Sequence, residues 1–142
     1  MTVAIRDAVD GDAPAIAELL AELGYPSEPG AVRARMANMR GDGNQWILIA
    51  EVDGEAVGMA TIIIRHVINR DEPFGRLASV VVRDSWRSRG IGAAMLARTE
   101  EICRDAGCSA IEVTSAESRT RAHSFYERHG FEERPRRFIK QL

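Results

Sequence analysis

The sequence feature that most constrains the fold is an apolar segment that runs through two closely spaced glycines into a helical pattern. Residues 77–82 are almost unbroken apolar sequence, which is typical of a strand covered on both faces. Gly90 and Gly92 follow after a polar turn, and residues 90–106 then repeat apolar side chains at helical spacing. We therefore predict a strand near the centre of a sheet, followed directly by a long helix.

The turn between this strand and this helix has the composition of a phosphate-binding loop. Gly90 and Gly92 lack Cβ atoms, so a phosphate can approach the backbone, and the start of a helix offers free N–H groups and a positive dipole end. Arg87 and Arg89 add positive charge nearby. The alternative is that the glycines only shape a tight turn while the arginines are solvated, and the residues alone leave both interpretations open.

Strand and helix patterns alternate along the rest of the chain. Asp10, Asp12 and Pro14 are expected to supply capping and first-turn chemistry for one helix, which ends at Gly24, while a second helix opens at Pro29. Further patterns predict a helix at residues 118–129 and strands at residues 3–5, 46–52, 56–64, 110–114, around Phe131 and at 137–142. The order β-α-α-β-β-β-α-β-α-β-β predicts an α/β (α+β) fold, in which helices cover a mixed sheet.

Composition and charge narrow the class of protein. The chain has 142 residues, 45% hydrophobic and 28% charged, as expected of one soluble domain spanning residues 1–142. The formal net charge of -2 argues against a nucleic-acid partner, because phosphate backbones require a strongly basic surface. The sequence shows no signal segment and no apolar run long enough for a bilayer, so we expect a cytoplasmic protein without a membrane partner. Cys103 and Cys108 fit that compartment as free thiols.

Two segments resemble motifs of the GNAT acetyltransferase family. Arg87, Gly90 and Gly92 match the acetyl-CoA-binding motif R/Q-x-x-G-x-G/A, and residues 122–131 resemble the signature A-x-x-F-Y-x-x-x-G-F. The N-terminal helix pair and a hairpin at Asp53-Gly54 extend the resemblance across the chain. The resemblance implies the GNAT fold, with a mostly antiparallel sheet, and acetyl-CoA as cosubstrate.

The resemblance also implies a cofactor site. The backbone of the central strand would pair with the pantetheine arm, and the turn would hold the pyrophosphate. The strand residues are Val80, Val81 and Val82, and the turn residues are Arg87, Ser88, Arg89, Gly90, Ile91, Gly92 and Ala93. Arg119 stands where many members have an asparagine that reaches the pantetheine, and a similar subset with R-x-x-A-H-x-F-Y has arginine there. Arg119 is therefore expected to contact the cofactor.

One catalytic residue follows from the same resemblance. Tyr126 corresponds to the tyrosine that protonates the departing CoA thiolate, whereas helical periodicity alone would place it in the core beside Phe125. The glutamate that some members use as general base corresponds here to Arg76, so no base is transferred. Candidates for that role are Asp71, Glu72, His66 or an ordered water.

Two other motifs in the sequence would indicate different ligands. A zinc-finger-like spacing is shared by Cys103, Cys108, His123 and His129, but a chain with this much apolar sequence needs no structural metal, and we predict none. Gly90-Ile91-Gly92 also begins a dinucleotide-binding fingerprint, yet Met95 stands at its third glycine.

The sequence thus predicts an N-acetyltransferase in which a neutral amine attacks the acetyl thioester directly in a ternary complex. The acceptor is unidentified, with a small-molecule amine preferred over a protein or peptide amine. The family includes many dimers, so a homodimer is one expectation for the oligomeric state. The competing hypothesis from another class is a non-catalytic acyl-CoA sensor, which would bind acetyl-CoA without releasing CoA.

Overall fold

A mixed sheet is the framework of the molecule. The computed structural model describes residues 1–115, 119–134 and 138–142. The strands in this part of the chain are β1 (Ala4–Asp7), β2 (Gln45–Val52), β3 (Glu55–Arg65), β4 (Phe74–Val82) and β5 (Ala110–Val113), and the helices are α1 (Ala13–Leu23), α2 (Pro29–Arg40), α3 (Ile91–Asp105) and α4 (Thr120–Arg128). The sheet order is β1-β2-β3-β4-β5, with β4 and β5 parallel and the other neighbours antiparallel. The predicted mixed, mostly antiparallel sheet flanked by helices is confirmed.

The β2–β3 hairpin turns where the sequence indicates. Asp53 and Gly54 have φ angles of 49° and 79°, as a two-residue hairpin turn with two left-handed residues requires. Val52 therefore pairs with Glu55 directly across the turn.

Helices cover both faces of the sheet. On one face, Leu19 of α1 and Met36 of α2 pack in one cluster with Ile49 of β2. On the other face, α3 packs on the sheet through Met95 and Ile102. Gly24, with φ of 102°, ends α1 as predicted. The two halves of the core thus fix α1 and α3 on opposite sides of β4.

The start of α1 differs from the expected capping arrangement. The Asp12 side chain does not cap α1. Its carboxylate instead accepts hydrogen bonds from Arg6 Nη1 and Nη2 at 2.8 and 2.9 Å and from the Val9 N–H at 2.8 Å. The nearby guanidinium on β1 therefore provides a stronger partner than the helix N-terminus.

The central position predicted for β4 needs a correction. β4 pairs with β3 along almost its whole length, but β5 pairs only with residues 74–77, so residues 78–82 have no strand partner on that side within the described chain. Ala78 is exposed, and Val80 and Val82 are only half-buried. Residues 77–82 are therefore not fully covered on both faces, because Ala78, Val80 and Val82 share one face of the strand and that face keeps solvent access.

The predicted C-terminal strands are not formed by residues 131–134 or 138–142. Residues 135–137, which include the predicted start at Arg137, lie outside the described chain. At Phe131 the reason is local, since its N–H donates to the Tyr126 carbonyl at 3.0 Å and so terminates α4 instead of pairing in a sheet. The first strand is also shifted, from residues 3–5 to Ala4–Asp7.

Candidate active site

An open cleft of about 680 Å³ lies where β4 and β5 separate. Its walls are the unpaired part of β4, the turn that follows it, the start of α3, one face of α4 and the last turn of α1. Tyr126 and every cofactor-site residue predicted from sequence except Arg89 line this cleft. Arg89 instead lies against the Trp86 ring, with its guanidinium carbon 4.8 Å from the ring centroid.

Within the described residues, the edge of β4 that faces the cleft has no strand partner beyond Leu77. The Arg83 N–H donates to the Val57 carbonyl on β3 at 2.8 Å. Because backbone groups alternate in direction along a strand, Val81 also points towards β3, while Val80 and Val82 point towards the cleft. The N–H and C=O groups of Val80 and Val82 therefore border the cleft, where an extended ligand can engage them.

The turn after β4 leads directly into the N-terminus of α3. Ser88 and Gly90 both have positive φ angles, 63° and 79°, and Gly90 is the residue that precedes α3. A Cβ at Gly90 would meet nothing within 4 Å, so glycine is favoured there by backbone conformation. The first N–H groups of α3 have no partner within the helix and carry the positive end of its dipole. This geometry suits an anion.

At position 92, glycine is favoured by side-chain packing. A Cβ at this position would lie 3.2 Å from the Phe125 ring. The missing side chain thus admits Phe125 and lets α4 pack closely on the start of α3, so the space predicted for a phosphate at Gly92 is occupied by an aromatic ring.

The charges in the cleft are mostly positive. Arg121 on α4 donates to Ser88 Oγ at 2.9 Å, and Arg87 lies 3.2 Å from the Asp84 carboxylate. The cleft is also lined by Arg119 and Arg128. Sequence reasoning missed Arg121, although it shares one helical face with Phe125 and Arg128, and that pattern was a usable signal.

A carboxylate in the cleft was also missed. Glu22 lines it and accepts a hydrogen bond from the Asp84 N–H at 2.9 Å. No local pattern marks this residue, because its partner is distant in sequence. The base candidates Asp71, Glu72 and His66 do not belong to the cleft wall.

Tyr126 satisfies both interpretations of its position. Its ring packs edge-on against Phe125 and Phe131, with both centroid distances 5.5 Å, and the half-buried side chain also lines the cleft. Burial raises the pKa of the Tyr126 phenol, and the positive charge of Arg119 opposes that rise. The phenol therefore holds its proton at neutral pH, as a general acid must.

Arg119 and Arg76 have protein partners. The Arg119 guanidinium donates to the Leu23 carbonyl at the end of α1. Arg76, at the position of the family's glutamate, donates to Glu112 at 3.2 Å and to Thr114 Oγ1 at 3.1 Å.

The cysteines lie apart from this chemistry. Burial raises the pKa of Cys103 to about 12, and burial also raises that of Cys108, so neither is an activated thiolate. Within residues 1–115, 119–134 and 138–142, no group of three His, Cys, Asp or Glu side chains could hold a metal ion. None of the helices in the described residues is long and apolar enough to cross a membrane.

Comparison with known proteins places this geometry among acetyltransferases. Residues 13–131 match the model of the acetyltransferase (GNAT) family. The chain is 33% identical to an aminoglycoside N(6')-acetyltransferase type 1 of Stenotrophomonas maltophilia over 135 residues, which cover 93% of this chain and 88% of that protein. It is 30% identical to a glucosamine 6-phosphate N-acetyltransferase of Trypanosoma brucei brucei over 131 residues, covering 89% and 87%. A crystal structure of a Trypanosoma brucei acetyltransferase superimposes with a TM-score of 0.84 at 28% identity, over 99% of this chain and 100% of that one.

Proposed function

The chain belongs to the GNAT acetyltransferase family and is an acyl-CoA-dependent N-acetyltransferase, and we propose that it acetylates a primary amine of a small molecule. The observation that carries the proposal is the convergence, in one cleft, of a β4 edge without a strand partner among the described residues, the glycine turn before α3 and a protonated phenol. Both relatives are named for small amine substrates, an aminoglycoside and glucosamine 6-phosphate.

The residues of the cleft fit acetyl-CoA. The free backbone groups of Val80 and Val82 would pair with the amides of the pantetheine arm in the manner of an added strand. The N–H groups of residues 88–93 and the side chain of Arg87 would hold the pyrophosphate. Arg121, fixed by its hydrogen bond to Ser88, would add a second cation on the α4 side.

The proposed reaction needs two contributions from the protein, one at the thioester oxygen and one at the departing sulfur. Acetyl-CoA supplies an activated thioester that a neutral amine attacks directly, forming the amide bond and breaking the carbon–sulfur bond. A β4 N–H that points into the cleft, from Val80 or Val82, would stabilise the negative charge that develops on the thioester oxygen. Tyr126 would give its proton to the departing sulfur.

The acceptor side is proposed to lie beside the end of α1. Leu23 lines the cleft and Tyr25 is exposed just after it, so the connection between α1 and α2 is available to a small amine. Residues 69–74, which do not line the described cleft, would approach the acceptor from outside it. Such connections vary without disturbing the sheet, which suits them to set the acceptor specificity.

Thermal unfolding with acetyl-CoA, CoA or NADH tests the cofactor assignment. A ligand at about 100 times its Kd stabilises the folded state by about 2.7 kcal/mol, so we expect a clear rise in Tm with acetyl-CoA and CoA and none with NADH. Arg121→Gln should reduce this rise, while Arg104→Gln, on the exposed surface of α3, should not. An unchanged Tm with both CoA species would contradict the proposal.

A panel of amines then tests catalysis, with release of free CoA as the measurement. The panel should hold amino sugars, aminoglycosides, simple alkylamines and a lysine peptide. We expect release with at least one small amine. Binding of acetyl-CoA without release on any amine would instead support the acyl-CoA sensor.

A further inference from the structure

The C-terminal half of α1 is held from both sides of the cleft. On the β4 side, Arg83 Nη1 lies 2.8 Å from Glu18 Oε2, and the Asp84 N–H donates to Glu22 at 2.9 Å. On the α4 side, the Arg119 guanidinium donates to the Leu23 carbonyl, a contact we name the Arg119 bridge. The end of α1 therefore spans the cleft between its two walls.

The Arg119 bridge joins groups that attract each other for two reasons. The Leu23 carbonyl belongs to the C-terminal turn of α1, where unpaired carbonyls carry the negative end of the helix dipole. A guanidinium has several donors in a fixed planar arrangement, so one can bind the carbonyl while the positive charge stays near a second group. That second group is Tyr126, whose phenol interacts electrostatically with Arg119.

Arg119 also lies between two segments that the proposed reaction would use. It directly precedes α4, the helix that carries Tyr126, and a Cβ at Gly24 would lie 4.0 Å from Arg119 Nη2. The Arg119 bridge thus joins the segment between α1 and α2, where the acceptor would bind, to α4, whose Tyr126 would supply the proton.

We propose that Arg119 is a positioning residue, which holds the end of α1 against α4 and so sets the distance between the acceptor amine and the Tyr126 phenol. The proposal rests on the proposed acetyltransferase function. It differs from the role implied by sequence resemblance, in which Arg119 contacts the pantetheine, because here the guanidinium acts on Leu23 and Tyr126.

Steady-state kinetics of Arg119→Gln separates the two roles. A positioning residue affects the reacting geometry, so kcat should fall about tenfold while the KM for acetyl-CoA stays within about twofold. Arg119→Lys keeps the charge and one donor and should recover part of the lost kcat. Arg104→Gln removes an exposed arginine from α3 and should match the wild-type enzyme. A raised KM for acetyl-CoA with unchanged kcat would overturn the proposal in favour of a cofactor contact.

A double-mutant cycle with Tyr126→Phe tests whether Arg119 acts through the phenol. If it does, Arg119→Gln should cost less than about twofold in the Tyr126→Phe background, because the group it positions is already absent. An equal loss in both backgrounds would contradict the proposal. The Tm of each variant is measured alongside, and if Arg119→Gln unfolds, the comparison of Arg119→Lys in the two backgrounds decides the matter. Failure of the proposed function is distinguishable, since the wild-type enzyme would then release no CoA.

Discussion

At the scale of single residues, Tyr126 combines the packing of a core aromatic with access to the cleft. Burial raises the pKa of its phenol above the usual value near 10, so the acid form persists throughout the neutral range. If Tyr126 is the general acid, kcat should not depend on the ionisation of its phenol below about pH 10 and should fall at higher pH. A pH–rate profile measured with a saturating amine of low pKa checks this prediction.

The matching substitution is Tyr126→Phe. It keeps the ring contacts with Phe125 and Phe131 and removes only the phenol hydroxyl, so Tm should change little while kcat falls by ~10² to 10⁴. Phe131→Leu is the control, because it alters the same aromatic cluster without removing the phenol. Full activity of Tyr126→Phe would rule out the general-acid role.

At the scale of elements, α3 packs closely against the start of β4 at Gly75. A Cβ at Gly75 would lie 2.6 Å from Cys103 Sγ, which is too close for both groups to remain in place. Gly75→Ala should therefore destabilise the fold by about 1–3 kcal/mol, the usual cost of overpacking. Urea denaturation measures it, and Gly75→Ala combined with Cys103→Ala should recover most of the loss. Additive losses in the double variant would mean that the clash lies elsewhere.

The attachment of α1 to the strands depends on pH. Arg6, held against Asp12, lowers the pKa of that carboxyl, so the folded-state pKa lies below the unfolded one. The stabilisation that the Arg6–Asp12 pair contributes is then fully present above about pH 4 and is lost as the pH falls through the folded-state pKa of Asp12. Asp12→Asn should be less stable by about 2 kcal/mol at pH 7 and should lose less stability on acidification. Equal acid sensitivity in Asp12→Asn and the wild type would contradict this.

At the scale of the whole molecule, the width of the cleft depends on how closely α4 approaches α3. Gly92→Ala would place a methyl group 3.2 Å from the Phe125 ring, so the ring and α4 must move outwards. We expect weaker acetyl-CoA binding, measured by titration calorimetry, with a smaller effect on Tm. Gly30→Ala, in α2 with nothing within 4 Å, should leave the affinity unchanged. Unchanged affinity in Gly92→Ala would show that α4 does not limit the cleft.

The elements that could be predicted from the sequence are those specified by local interactions. Gly24 ends α1, Asp53-Gly54 turns the hairpin, and the turn from residue 87 to residue 92 opens α3, because each depends on backbone conformation or helix periodicity within a few residues. The same local patterns, with the family resemblance, were sufficient to propose the cofactor site and Tyr126.

What only the tertiary structure decided involves residues far apart in the chain. The separation of β4 from β5, which opens the cleft, arises from pairing between distant strands, and no property of residues 77–82 alone indicates it. The same holds for Glu22 on Asp84 and for Arg119 on Leu23, whose partners are 62 and 96 residues away. The physical reason is that periodicity specifies which face of an element is buried but not which distant side chain meets it. The sequence therefore determined most of the helices and strands and the glycine turn that opens α3, whereas the folded chain decided the shape and the charge of the cleft.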